Sequence, residues 1–229
     1  MARPKQSQQH PNMKEAIKKV ALMLMAKKGS ATLSLRAIAR ELKITAPAIY
    51  NYFPSRDDLV TALIVDAFNS LATVLAASQE NDEESHTKRI MASAQAYRDW
   101  ALAHSEQYCL IFGTPIPNYH APAKITGPAA AGSMAVLISV IDAAWCDGAV
   151  KVDGAPSSTP EMIQAWIDKF SYTGDPAVIY FAMACWVKIH GLVSLEINGH
   201  FAAVPREISV DSFFRAEIDA MLKRMIVGV

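Results

Sequence analysis

Leu33-Ser34-Leu35-Arg36-Ala37-Ile38-Ala39-Arg40-Glu41-Leu42-Lys43-Ile44-Thr45-Ala46-Pro47-Ala48-Ile49-Tyr50-Asn51-Tyr52-Phe53-Pro54-Ser55-Arg56 reads as two short helices joined by a tight turn and followed by the start of another. Leu35, Ile38, Ala39 and Leu42 fall at i, i+3, i+4 and i+7, which turns one face inward and leaves Arg36, Arg40 and Glu41 toward solvent. Ser34 stands where an N-cap belongs. The next helix opens on Thr45 as a candidate N-cap and tolerates Pro47, because early helical positions need no intrahelical N–H partner. Of this helix and its exit, only Ile49 and Phe53 are expected in the core, leaving Thr45, Ala46, Ala48, Tyr50, Asn51 and Tyr52 largely uncovered. A short helix that exposes aromatics, an amide and small side chains makes sense if something docks there, and a DNA major groove is wide enough to admit it.

Charge points the same way. The chain of 229 residues has no formal net charge, yet residues 1–60 hold 11 Lys or Arg against 4 Asp or Glu, and the remainder holds 11 against 18. A basic quarter is only a solvated face when it stands alone, but beside a helix–turn–helix pattern it is the part that seeks a polyanion.

Outward from the motif, residues 1–11 carry Arg3, Lys5, Pro4 and Pro11 without apolar periodicity, and read either as a frayed terminus or as an arm reaching phosphates. Asn12 and Glu15 suggest a capping box for a first helix whose Ile17, Val20, Ala21, Leu24 and Met25 keep helical spacing until Gly29.

The basic first helix, Leu-Ser-Leu-Arg-Ala-Ile-Ala-Arg-Glu-Leu from Leu33, and Ile-Thr-Ala-Pro-Ala-Ile-Tyr-Asn-Tyr-Phe-Pro-Ser-Arg-Asp-Asp-Leu from Ile44 together closely resemble the DNA-binding domain of TetR-family transcriptional regulators. The resemblance implies that Arg36 touches a base or phosphate from the second helix. It implies that Thr45, Ala46, Pro47, Ala48, Tyr50, Asn51 and Tyr52 form the contact surface of the third, and that Arg56 holds a phosphate at the start of the fourth. Lys43 departs from the pattern, since members of the family commonly carry Gly at the turn; it is expected to accept a positive φ or to add a phosphate contact.

The residue chemistry supports these roles independently. Ser55 and Asp58 make a second capping box, expected to leave free N–H groups beside the Arg56 guanidinium, a pairing that suits a phosphate oxygen. Tyr50 and Tyr52 offer phenolic donors to phosphates, Asn51 suits an adenine edge, and Ala46 and Ala48 reach only thymine methyls or sugars. The spacing also permits Tyr50 to pack back on the first helix.

A fourth helix is expected from Asp57 through about Ala77, long enough at about 1.5 Å per residue to connect two domains. The remainder reads as helical, with segments near 86–103, 105–112, 127–147, 160–172, 175–197 and 211–227, long loops at 113–127 and 148–159, and no strand. Gly127-Pro128, Thr159-Pro160 and Asp175-Pro176 look like caps followed by a first turn. The fold expected is all-α, with a helix–turn–helix DNA-binding domain over residues 1–56 and a helical effector-binding and dimerisation domain over 57–229, joined through helix 57–77.

Asp175–Ile197 is apolar nearly all round, and the last helix carries a wide apolar stripe, so both are candidates for a homodimer interface built on Val178, Leu192, Leu195, Phe214, Ile218 and Leu222. Trp186-Val-Lys-Ile-His190-Gly191 and His104-Ser-Glu-Gln-Tyr-Cys-Leu-Ile-Phe-Gly-Thr-Pro115 resemble the signature of the Trp-His-Gly class of TetR-family C-terminal domains. Tyr97, Trp100, Phe112, Tyr119, Trp145, Met183, Trp186 and His190 are candidate lining for an effector pocket, with His120 a further polar anchor. Residues of these types at helical spacing are equally what a core is made of.

The longest unbroken apolar runs fall short of the roughly 18–20 residues of a membrane span, and the first dozen residues lack the character of a secretory signal. Cys109, Cys146 and Cys185 read as reduced core thiols of a cytoplasmic protein. There is no phosphate-binding Gly loop, Gly-x-Ser-x-Gly elbow or His-Glu-x-x-His helix, and no cluster of metal ligands, so neither an enzyme nor a cofactor is expected. The expectation is a DNA-binding regulator, a repressor acting as a homodimer on a double-stranded operator and answering to an apolar or aromatic small molecule. The alternative is a DNA-binding interaction protein with no effector.

Overall fold

The computed structural model describes residues 11–29, 33–80, 84–150, 160–203 and 209–226. Within them run ten helices: α1 (Pro11–Lys28), α2 (Leu35–Glu41), α3 (Ala46–Tyr50), α4 (Arg56–Ala77), α5 (His86–Ala103), α6 (Ser105–Phe112), α7 (Ala123–Cys146), α8 (Glu161–Phe170), α9 (Pro176–Ile197) and α10 (Val210–Met225). An isolated bridge between Val150 and Ile226 is the sole β pairing among the described residues, and the fold is all-α as expected.

Several helix ends differ from expectation. α1 already includes Pro11 and Asn12, and Glu15 hydrogen-bonds to Lys18 Nζ at 2.9 Å instead of closing a capping box. α7 starts at Ala123, four residues before the Gly127-Pro128 signal, so Pro128 lies inside the helix. Pro160 is itself an N-cap, and Thr159 lies outside the described residues, as does the 1–10 part of the basic arm. Asp175 behaves as read, its carboxylate accepting from the Ala177 N–H at 2.9 Å ahead of Pro176.

The chain divides into two compact units that do not follow chain order: residues up to Ala67 with His104–Pro128 form the first, and Phe68–Ala103 with residues from Ala129 onward form the second. In the first unit, α1 packs against α2 and α6, and α2 against α3. Its core takes Ile17 and Ala21 from α1, Ile38 and Ala39 from α2, Ile49 from α3, Leu59, Val60 and Leu63 from α4, and Tyr108 from α6. Burying each large apolar side chain contributes about 1.5–3 kcal/mol, enough to fix helices that are too short to be stable alone.

In the second unit, α5 packs on α9 and α10, and α9 packs on α8 and α10. A polar clamp ties three of these helices. The buried Arg98 of α5 donates from Nε and Nη2 to the two oxygens of Glu196 on α9, both at 2.7 Å, and from Nη1 to Asp211 on α10 at 2.7 Å. The hydrogen bonds to Glu196, working against burial, hold its pKa above the ordinary arginine value.

Two sequence expectations fail here. α4, α7 and α9 are each long and apolar enough to cross a membrane by length and composition, contrary to the reading of unbroken runs. A run ends at a single Asn, Ser or Gly, whereas a window of a whole span tolerates it. Cys109 and Cys146 are exposed, and only Cys185 is a buried core thiol.

Candidate nucleic-acid interface

The turn of the helix–turn–helix is made without glycine. Leu42 closes α2, Lys43 takes φ 55°, and the N–H groups of Lys43 and Ile44 return to the carbonyls of Arg40 at 3.2 Å and Ala39 at 3.0 Å. That is the two-bond helix termination for which Gly is preferred, so Lys43 accepts a left-handed backbone that costs about 1 kcal/mol. In exchange an exposed ammonium stands at the turn.

Ser34 caps α2 through the Ala37 N–H at 3.4 Å. Thr45 occupies the N-cap position of α3 but makes no side-chain cap bond. The reason is local: Pro47 has no N–H to offer, and the Ala48 N–H goes to the Thr45 carbonyl at 3.0 Å. The Thr45 side chain therefore faces outward as an exposed residue.

Around the fully buried Ile49, Pro47 and Asn51 are exposed and Tyr50 is 49% exposed, outside the core. Ala46, Ala48 and Tyr52 are half-buried, and Arg36 of α2 is exposed. Nearby cations are not all equal. Lys18 of α1 binds Asp66 at 2.6 Å and Glu15 at 2.9 Å. Burial opposes its charge, but these two hydrogen bonds outweigh burial and raise its pKa. Lys14 lies 5.5 Å over the Phe53 ring. Part of the basic excess counted in the sequence thus serves the fold.

At the start of α4, the Asp58 N–H donates to Ser55 Oγ at 3.1 Å and the Ser55 hydroxyl donates to the Asp58 carboxylate at 2.7 Å. The Asp58 N–H is therefore capped, and Asp57 and Asp58 put negative charge in the first turn of the helix. Beside it, Arg56 places its Nη1 3.7 Å from Asp57 Oδ1, and its buried Nε has no partner among the described residues.

The eight aromatic and polar residues considered for an effector do not gather in one unit. Phe112 and Tyr119 belong to the first, where Phe112 lies 5.3 Å from the Tyr108 ring and the Tyr119 hydroxyl meets Thr61 Oγ1 at 2.9 Å. In the second, Tyr97, Trp186 and His190 come together: the imidazole stacks on Trp186 at 4.9 Å and 21°, and its Nδ1 is 2.9 Å from the Tyr97 hydroxyl. Burial lowers the His190 pKa. Trp100 is buried and donates to Ser70 at 3.0 Å, Trp145 lies 6.2 Å from the Phe181 ring, and Met183 is buried.

The residues expected at a dimer interface need correction. Val178, Phe214, Ile218 and Leu222 are buried within a single chain, Leu192 is half-buried, and only Leu195, 43% exposed, faces solvent. The exposed large apolar residues of these helices are Val187 and Leu195 on α9 and Phe213 on α10. An ion pair from Lys188 to Glu217 ties these two helices and holds the Glu217 carboxyl below the usual range.

A short helix presented outward from a capped, basic three-helix head, joined to a larger helical unit, defines a helix–turn–helix regulator. Residues 17–63 match the model of the bacterial regulatory proteins of the tetR family, and residues 90–221 match the tetracyclin repressor-like C-terminal domain. The HTH-type transcriptional regulator Rv1816 of Mycobacterium tuberculosis is 35% identical over 178 residues, 76% of each chain. The crystal structure of the regulatory protein SCO4313 superposes with a TM-score of 0.77 at 32% identity, covering 93% of this chain and 96% of that one. A protein with unknown function from Rhodococcus sp. RHA1 gives 0.72 at 26% identity, covering 96% and 99%. The chain belongs to the TetR family: it is a transcriptional regulator with a DNA-binding helix–turn–helix, and not an enzyme.

Proposed function

We propose that this regulator is a ligand-responsive repressor that acts as a homodimer on a double-stranded DNA operator. The reading function belongs to residues 1–56, and sensing and dimerisation to residues 57–229. The observation that carries the reading is the exposed surface around the buried Ile49, with Tyr50 at 49% exposure. Thr45, Ala46, Pro47, Ala48, Tyr50, Asn51 and Tyr52 form the groove-facing surface, and Arg36, Lys43 and Arg56 add the cationic contacts. Base preference comes chiefly from Arg36, Tyr50 and Asn51, because the alanines offer only methyl contacts.

The exposed apolar residues of α9 and α10, Val187, Leu195 and Phe213, meet their copies across a two-fold axis. Two heads then read half-sites about 34–36 Å apart, one turn of DNA. The effector is an apolar or aromatic small molecule engaged by Trp186, His190 and Tyr97, which supply an aromatic plane with polar groups beside it. It weakens operator binding by its differential affinity for the two arrangements of the dimer, and by no more than that.

Fluorescence anisotropy with duplexes from the DNA flanking the protein's own coding sequence tests the head. Arg56→Ala should weaken binding to all sequences and lower the salt slope by about one, whereas Asn51→Ala should change sequence preference. Unaltered binding in both variants overturns the assignment. Sedimentation of Val187→Asp tests the interface, and should give a folded monomer where the unsubstituted chain gives a dimer.

A further inference from the structure

We propose that Tyr119 is a positioning residue for DNA binding, acting through the first turn of α4 on Arg56. The inference rests on the reading of Arg56 as a phosphate contact. Tyr119 lies in the connection between α6 and α7, 58 residues along the chain from the Thr61 it touches. That connection is shaped to deliver it. At Gly113 a Cβ would come within 2.3 Å of the Cys109 carbonyl oxygen, so only glycine lets the chain leave α6 by this route. Ile116 is buried, Asn118 takes φ 59°, and the Tyr119 N–H closes the turn on the Ile116 carbonyl at 3.2 Å.

Proton accounting gives the contact a direction. Thr61 is 8% exposed and donates its one hydroxyl proton to the Asp57 carbonyl at 2.8 Å. The 2.9 Å contact with Tyr119 therefore has the phenol as donor and Thr61 Oγ1 as acceptor. Tyr119, Thr61 and the Asp57 carbonyl form a continuous chain of hydrogen bonds ending in the turn that bears Arg56. Arg56 is largely covered, its side chain 27% exposed, with Nη1 3.7 Å from Asp57 and a buried Nε lacking a partner among the described residues. A guanidinium that is held by packing, with no hydrogen bond at its Nε, takes its direction from the turn that carries it, so a shift of that turn is passed on to it. The connection also falls within the 90–221 region matched by the C-terminal family model, yet it packs with the head.

A double-mutant cycle in the full chain decides this, read by anisotropy with a fluorescein-labelled duplex of the flanking DNA. Tyr119→Phe removes only the hydroxyl and should weaken binding about three- to ten-fold, with far-UV circular dichroism unchanged. In the Arg56→Ala background the same substitution should change nothing further. Thr61→Val should reproduce the loss and Thr61→Ser should restore binding, which decides the matter if Tyr119→Phe fails to fold. If Arg56→Ala weakens binding but Tyr119→Phe and Thr61→Val do not, or if the two losses simply add, the positioning role is overturned and the Arg56 contact stands. If Arg56→Ala itself binds like the unsubstituted chain, both readings fall.

Discussion

In the head, the side chains offered to DNA are those the core rejects: Ile49 is fully buried, while its neighbour Tyr50 is 49% exposed. In the second unit, aromatics considered for a ligand include core members themselves, with Tyr97 at 4% and Trp100 at 2% exposure. A five-residue helix has one buried position and several spare ones, so its outer face stands out. A 22-residue helix packed by three neighbours has few spare positions, and apolar composition no longer tells a pocket, an interface and a core apart.

The largest test of that contrast pairs two adjacent phenylalanines of α10. Phe214→Ala, at a position 1% exposed, should cost about 3–5 kcal/mol in urea unfolding, because it opens a cavity. Phe213→Ala, at 49% exposure, should stay within about 0.5 kcal/mol in monomer stability. Equal losses would break the distinction between the two faces.

Next come the ion pairs of the two units. Arg98→Met leaves Glu196 and Asp211 without their buried partner and should cost about 3 kcal/mol. Lys18→Met in the head frees carboxylates that are 44% and 68% exposed, and should cost about 1 kcal/mol or less. Matching denaturant midpoints for the two variants would contradict the burial argument.

A smaller effect is expected at the turn. Lys43→Gly relieves the left-handed backbone and should stabilise the chain by about 0.5 kcal/mol. It should also reduce the salt slope of operator binding by about one. Gain in stability with an unchanged slope would separate the conformational role of Lys43 from its charge.

The smallest effect is a pH slope. Burial lowers the His190 pKa below its ordinary 6.5, so on acidification the unfolded chain takes up this proton before the folded one does. The contribution is fully present above 6.5 and is lost as pH falls through the folded value. Urea midpoints measured across that range should decline toward acid, and His190→Gln should flatten the decline.

The legibility of the molecule follows from how far apart the deciding groups lie. The bounds expected for α5 and α6 match the structure to the residue, with the single residue His104 between them. Those expected for α7 do not, because Pro128 is a start signal in sequence while the helix in fact begins at Ala123 and accommodates the proline within it. The positive φ of Lys43 is one of the two outcomes that the resemblance implies, since members of the family commonly carry Gly at this turn. The interface side of α9 leaves no such signal, because the helix is apolar nearly all round and nothing in its own sequence says which side faces α5, α8 and α10.

The sequence by itself determined the helical class and the helix–turn–helix, which depend on periodicity and capping within a few residues, and the family, which its motifs resemble; of the α3 residues expected to be uncovered, Thr45, Tyr50 and Asn51 are exposed, while Ala46, Ala48 and Tyr52 are half-buried. Only the tertiary structure decided that Lys18 serves Asp66, that Val178 and Phe214 are core, and that Tyr119 packs in the head against Thr61. Those outcomes join groups 48 and 58 residues apart or choose between faces of one apolar helix. Neither choice leaves a periodic trace, because it is set by which surfaces the assembled helices happen to cover.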